Sequence, residues 1–292
     1  MAARQARGNE RPALDLDSDW EWDETLYAGS ARYYARGRLP YPQEVAEALR
    51  DELVLDGTGR LLDIGCGPGS LALLLAPLFE EVVGVDADAA MVAEAEREAA
   101  RVGVANATWV QVRAEDLPAG LGNFRVAAFA QSFHWMDRER VARAVRLMLE
   151  PGGALVHVHA TTHRGVGDDE GLPAPQPPRD EIADLVAAYL GPVRRAGRRT
   201  LPAGTPSGED DILRAAGFLG PRELEVGGGR VFERSEDDVV ASVYSLSSAA
   251  PHLFGERLGD FEADLRSVLR RTSPEGRFSE RARAVALEIW SR

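Results

Sequence analysis

The chain has 292 residues, with 34 basic and 47 acidic side chains and a formal net charge of −13, and it contains no lysine, so that all 34 are arginine. Without an amine it cannot be a Schiff-base enzyme, a P-loop nucleotide hydrolase or a serine–lysine hydrolase, and its acidic balance disfavours a nucleic-acid or anionic-membrane partner. A hydrophobic content of 45% suffices for a buried core. The lone Cys66 cannot close an internal disulfide, and no run of about 18 uncharged apolar residues is present to span a bilayer. The N-terminal segment has no apolar run of the kind a secretory signal needs, so the cytoplasm is the expected location.

In chain order, residues 1–24 are polar and aperiodic and read as a mobile arm. Two helices follow, Tyr27 to Arg36 and Pro42 to Leu53, the second with Pro42 in its first turn and Val45, Leu49 and Leu53 at helical spacing. From Arg60 short apolar runs alternate with longer amphipathic ones. Strands are expected at Leu61 to Ile64, Val82 to Asp86, Thr108 to Val112, Val126 to Gln131 and Ala154 to Ala160, and helices at Ser70 to Phe79, Ala89 to Val102 and Arg138 to Leu149. That alternation predicts a doubly wound α/β fold with a parallel sheet, here residues 25–160. Residues 161–206, rich in Gly and Pro around one helix at Asp180 to Leu190, read as an insertion or lid. Residues 207–292 are expected to supply the remaining strands and a helical cap: a helix at Glu209 to Ala216, strands at Glu223 to Val226 and Arg230 to Arg234, and helices at Asp237 to Ser245, Arg257 to Arg271 and Ser279 to Trp290. Seven strands with an antiparallel hairpin at one edge are expected.

The strongest local signal is Asp63-Ile64-Gly65-Cys66-Gly67-Pro68-Gly69, where a strand breaks into alternating glycines ahead of a helix. Glycines there permit a sharp turn and let a ligand reach main-chain atoms, with helix N–H groups behind. Ser70 stands where a nicotinamide fingerprint needs its third glycine. The acid two residues before Gly65 suits a ligand bearing an ammonium group. Asp86 ends the next strand, 86 − 65 = 21 positions after Gly65, where a carboxylate grips ribose hydroxyls.

These residues resemble class I methyltransferases that use S-adenosylmethionine, in the small-molecule branch of the methyltransferase type 11 and trans-aconitate methyltransferase-like group. The glycine segment resembles the first motif of that family. Val85-Asp86-Ala87-Asp88 with Met91 resembles its second, and Arg113-Ala114-Glu115-Asp116-Leu117-Pro118 its adenine-contact motif. Gln131-Ser132-Phe133-His134-Trp135-Met136-Asp137 is similar to the exit of its fourth strand, and Leu149-Glu150-Pro151-Gly152-Gly153 to the turn before its fifth. The resemblance runs from Tyr33 to about Ala160. It implies S-adenosylmethionine as cofactor and contacts to it from Tyr34, Arg38, Asp63, Gly65, Cys66, Gly67, Asp86, Ala87, Met91, Ala114, Glu115, Gln131 and Ser132. Within those, Asp63 is expected to face the cofactor ammonium, Asp86 the ribose and Arg38 the carboxylate. The segment Tyr33 to Pro42 departs from the family pattern at Gly37, where an aromatic is common, and at Leu39, where proline is common.

On the acceptor side the candidates are Tyr41, His134, Trp135, His159 and Tyr244. His134 is the candidate base, against the plainer alternative that it only shapes the pocket. His157 and His159 share a strand face, but no second cluster at ligand spacing accompanies them, so no metal is expected. Cys66 reads as a small buried side chain. Glu209, Asp210 and Asp211 read as a solvated helix-start cluster. The arginine run Arg194 to Arg199 divides evenly between an exposed loop and an anion-recognising one.

The expected activity is direct methyl transfer to a small-molecule acceptor, as in secondary metabolism. A nicotinamide-dependent dehydrogenase and a non-catalytic cofactor-binding regulator are the alternatives. Nothing in the sequence sets an oligomeric state.

Overall fold

The computed structural model describes residues 23–167, 170–196, 199–200 and 208–292. The arm expected over 1–24 lies outside the described residues but for its last two positions, and so do parts of the segment 161–206 and of the arginine run. Nine α-helices are present among the described residues: α1 (Ala31–Gly37), α2 (Gln43–Leu53), α3 (Ser70–Leu75), α4 (Ala89–Val102), α5 (Arg138–Met148), α6 (Arg179–Leu190), α7 (Glu209–Ala215), α8 (Glu236–Tyr244) and α9 (Leu258–Thr272). The longer strands are β1 (Arg60–Ile64), β2 (Glu81–Asp86), β3 (Ala107–Gln111), β4 (Phe124–Ala130), β5 (Leu149–His159), β6 (Leu219–Val226), β7 (Val231–Ser235), β8 (Arg277–Arg281) and β9 (Val285–Ser291).

A seven-stranded sheet runs in the order β3-β2-β1-β4-β5-β9-β6. Strands β1 to β5 pair in parallel, whereas β9 lies antiparallel between β5 and β6. One face buries Leu61, Val82, Val126 and Val156 against Val45 and Leu49 of α2 and Leu71 and Leu75 of α3. The other buries Leu62, Val83, Ala127 and Leu155 against Val141 and Val145 of α5 and Leu213 of α7. Burial on both faces accounts for the unbroken apolar runs read from the sequence. Local signals set the helix ends: the Asp88 carboxylate accepts from Ala90 N at the start of α4 and Gly103 closes it in the left-handed region, while Asp137 accepts from Arg140 N ahead of α5.

A third core forms the cap, with Ile182 of α6, Val239, Val243 and Tyr244 of α8, Phe261 and Leu265 of α9, and Phe278 of β8. So α6, at the centre of the segment read as an insertion, is packed into the cap. Glu280 binds the cap internally, with Arg179 at 2.7 Å and Arg234 at 3.4 Å, and Arg234 also donates to the Gly37 carbonyl at 3.0 Å.

Two expectations are corrected. The helix expected over Ser279 to Trp290 is instead the end of β8 followed by β9. Its Ala, Glu and Arg content favours helix, but Val285, Leu287 and Ile289 alternate into the core between two strands, and sheet pairing overrides propensity. The run at Arg230 to Arg234 does not form an edge hairpin with its predecessor. It becomes β7, which pairs antiparallel with β8 in a separate two-stranded sheet, and the antiparallel edge of the main sheet is made by β9 and β6.

Candidate functional site

The end of β1 meets the glycine turn at the carboxyl edge of the sheet, where ligands bind in open α/β folds. Gly65 N and Cys66 N both donate to the Val85 carbonyl, at 2.8 and 3.0 Å, which fastens the turn to β2. Gly65 and Gly67 have φ of +68° and +54°, in the left-handed region. A Cβ on Gly65 would lie 2.5 Å from that of Ser132, whereas one on Gly67 would meet nothing within 4 Å, because Gly67 opens onto a cleft. The cleft encloses about 640 Å³, its open mouth included.

Of the residues expected to hold a cofactor, the structure brings Tyr34, Gly65, Gly67, Asp86, Ala87, Met91, Ala114, Glu115, Gln131 and Ser132 onto the walls of this cleft. Arg38 and Cys66 line a smaller one that shares Tyr34, Gly65 and Gly67 with it. Tyr27 also lines the main cleft and was not singled out in the sequence, where it reads only as the start of a helix.

Burial sets the electrostatics. Asp63 is 1% exposed; its Oδ2 accepts from Ala72 N at 3.2 Å and its Oδ1 has no partner. Burial, with the Asp86 charge nearby, pushes its carboxyl up to about 7. Asp86 is likewise raised by burial, to about 6, against the pull of backbone N–H groups; it accepts from Gly67 N at 2.8 Å and Asp88 N at 2.9 Å. Burial also raises the Cys66 thiol, so it stays protonated. Arg38 stacks on the Tyr34 ring at 4.5 Å and donates to the Ser245 hydroxyl at 2.9 Å and carbonyl at 2.8 Å, yet pairs with no carboxylate among the described residues. Arg38 lines the smaller cleft beside Gly67, while the half-neutralised Asp63 lies buried behind the turn and lines neither cleft; the pair suits the carboxylate and ammonium of an amino-acid moiety in charge.

Three other residues are engaged by the protein itself. Ser132 donates to the Ile64 carbonyl at 2.6 Å and Gln131 to the Val158 carbonyl at 3.1 Å, both steadying the strand ends. Glu115, expected at the adenine edge, accepts from Asp137 N at 2.9 Å and so also fixes the loop entering α5.

The departures at Gly37 and Leu39 have physical reasons. A Cβ on Gly37 would stand 2.4 Å from the Ala241 carbonyl oxygen, so only glycine lets α1 lie this close to α8. Leu39 N donates to the Thr162 carbonyl at 2.7 Å, a bond proline cannot make.

The acceptor-side candidates divide. Trp135 lines the cofactor cleft and Tyr41 the smaller one beside it. His134, on the turn Phe133–Trp135, packs on Trp135 at 4.7 Å, and burial with Arg194 and Arg138 nearby holds its imidazole neutral, at about 4. Tyr244 is corrected: it is fully buried in the aromatic core of the cap, 5.0 Å from the Tyr33 ring and 6.0 Å from that of Phe261, and has no face toward an acceptor. Two further readings change. Glu209 is not a solvated helix-start acid, since its carboxylate turns inward to His157 at 3.3 Å, whereas Asp210 and Asp211 do pair on the surface with Arg214. And carboxylates at ligand distance from His157 and His159 do exist: Glu209 and Glu288, from α7 and β9. Fold distance, not sequence spacing, brings them together.

A doubly wound sheet with a glycine cradle, a buried acid behind it and a carboxylate at the end of the second strand defines a nucleoside-cofactor-binding α/β domain. Residues 61–153 match the family described as Methyltransferase domain, and this segment is a class I methyltransferase domain, the class whose cofactor is S-adenosylmethionine. The chain is similar to an uncharacterized methyltransferase of Synechocystis, 33% identical over 114 residues that cover 37% of this chain and 51% of that protein. It is also similar to the uncharacterized methyltransferase YcgJ of Bacillus subtilis, 35% identical over 100 residues that cover 34% and 40% of the two chains. These matches span about half or less of the relatives' length. The crystal structure of YcgJ shares the fold, with a TM-score of 0.50 and 19% identity over 86% of this chain and 99% of that one.

Proposed function

We propose that the chain is an S-adenosylmethionine-dependent methyltransferase that transfers the methyl group to a small-molecule acceptor by direct displacement. The observation that carries this reading is the glycine turn that opens onto the cleft at Gly67, with the buried, half-satisfied Asp63 on the strand behind it and the carboxylate-free Arg38 lining the adjoining cleft. In this reading Asp63 ionises against the cofactor ammonium, Arg38 takes its carboxylate, Asp86 accepts from the ribose hydroxyls, and Met91 and Ala114 flank the adenine. When bound, the cofactor supplies a methyl group already activated on a sulfonium. The contribution of the protein is therefore alignment and exclusion of water, to which Tyr27 and Tyr34 on the cleft wall contribute. His134 is the base for an acceptor that loses a proton, because it is held neutral beside the fourth-strand exit. A formal charge of −13 favours a small metabolite over a polyanion.

A calorimetric titration tests the reading. S-adenosylhomocysteine is expected to bind with about 1:1 stoichiometry while nicotinamide dinucleotides do not. Binding of a nicotinamide nucleotide in its place would overturn it.

A further inference from the structure

Outside the cofactor cleft, the sheet gathers a second set of chemistry-bearing side chains. His157 and His159 lie on one face of β5, Glu288 stands opposite His157 in the register of β9, and Glu209 comes from the first turn of α7. The segments are distant in sequence, yet one donor atom each from His157, His159 and Glu209 falls within 4.8 Å of the others. His157 Nε2 is 3.3 Å from Glu209 Oε2, and His159 Nε2 is 3.2 Å from Glu288 Oε2. The cluster is shielded, with the His157 side chain 2% exposed and those of Glu209 and Glu288 15% and 20%.

Four of its polar atoms, His157 Nδ1, His159 Nε2, Glu209 Oε1 and Glu288 Oε2, are shielded from solvent and lack hydrogen-bond partners. A buried polar atom that nothing satisfies is costly to the fold. Two of them, His159 Nε2 and Glu209 Oε1, belong to the three residues whose donor atoms converge, and a partner common to those residues accepts electron pairs from imidazole nitrogens and a carboxylate oxygen together. Metal arms of about 2.0–2.2 Å at the tetrahedral angle set donor atoms roughly 3.3–3.6 Å apart. The 3.3 Å between His157 and Glu209 lies at the near end of that range, and the 3.2 Å between His159 and Glu288 just below it.

We propose that His157, His159 and Glu209 form a mononuclear site for a divalent first-row transition metal, with Zn²⁺ and Fe²⁺ the ions best suited to two imidazoles and one carboxylate, and with Glu288 beside His159. The ion joins β5 and α7 at the carboxyl edge of the sheet, on the side of the fourth-strand exit that carries His134. The proposal does not depend on the methyltransferase reading, and its test reads metal alone.

Tag-free full-length protein, stripped with a chelator and dialysed, is titrated with Co²⁺ and followed by visible absorption, alongside elemental analysis of protein as isolated. The expected result is about one equivalent bound, with the strong d–d bands of a low-coordinate N/O site. The half-exposed His159→Ala and the isosteric Glu209→Gln are each expected to weaken Co²⁺ binding at least tenfold while their circular dichroism spectra stay unchanged. If the stripped protein takes up no Co²⁺ near stoichiometric concentration, or both variants retain it with wild-type affinity and spectrum, the cluster is a proton-sharing histidine–carboxylate network and the proposal fails.

Discussion

Asp63 carries the clearest physical signature in the molecule, a carboxyl sealed from water with one oxygen unanswered. Its pKa in the folded protein, about 7, is raised above the ordinary carboxylate value, so its contribution to stability is fully present below about pH 4 and is lost as pH rises through 7. A cationic ligand reverses that balance by favouring the ionised form. S-adenosylhomocysteine uptake is therefore expected to release a proton below pH 7, and affinity to rise by up to about tenfold per pH unit between pH 5 and 7. Calorimetry in two buffers of different ionisation enthalpy counts the proton, and Asp63→Asn should reduce both effects, leaving the share of Asp86, which titrates at about 6. His134 calls for a different readout. As the base, His134→Ala lowers turnover by about 10²–10⁴-fold with cofactor affinity nearly unchanged, while equal losses in both would assign it a positioning role. At this scale the sequence was informative where function is local: the turn glycines, Asp86 and Met91 all lie on one strand–turn–helix unit or its neighbour. Tyr27, Glu209 and Glu288 were illegible as site residues because only tertiary packing brings them to the carboxyl edge.

At the scale of elements, α1 links the cofactor cleft to the cap. It carries Tyr34, is followed directly by Arg38, and lies against α8 through Gly37. Gly37→Ala drives a methyl group toward a backbone carbonyl at 2.4 Å, which a flexible side chain cannot relieve. Chemical denaturation is expected to show a loss of about 1–3 kcal/mol, and titration a weaker hold on S-adenosylhomocysteine, because Arg38 leaves its place as α1 backs away. Wild-type stability and affinity in that variant would mean α1 is not anchored by this contact. The same scale exposes the limits of periodicity. Strands β1, β2 and β4 were readable because both of their faces are buried and their sequences stay apolar. Strand β9 was misread as helix because its residues are helix formers, and because the neighbours that make it a strand, β5 and β6, lie far from it in the chain. Strand β7 was found, but its partner was not, since β8 arrives only after α8 and α9.

For the molecule as a whole, the absence of lysine takes on a structural sense. Arginine forks bind the cap to itself and to α1, with Arg179 and Arg234 on the buried Glu280 and Arg266 on Glu236 and Glu262. The exposed pairs add little to stability, whereas the buried Glu280 set ties the cap together and, through Arg234, to the end of α1 with a planar geometry that an ammonium group cannot supply. The parallel half of the sheet was legible from alternation alone. The cap helices α8 and α9 were legible too, but not how its core is closed, because α6 and β8 join it from both ends of the region beyond β5. The most direct test of the whole arrangement is a crystal structure with S-adenosylhomocysteine bound. The amino group should lie on Asp63, directly or through one water, with the carboxylate on Arg38 and the ribose hydroxyls on Asp86. Ligand bound elsewhere, or seated in the cleft with Asp63 Oδ1 still unpartnered and Arg38 still held only by Ser245 and Thr162, would contradict the account.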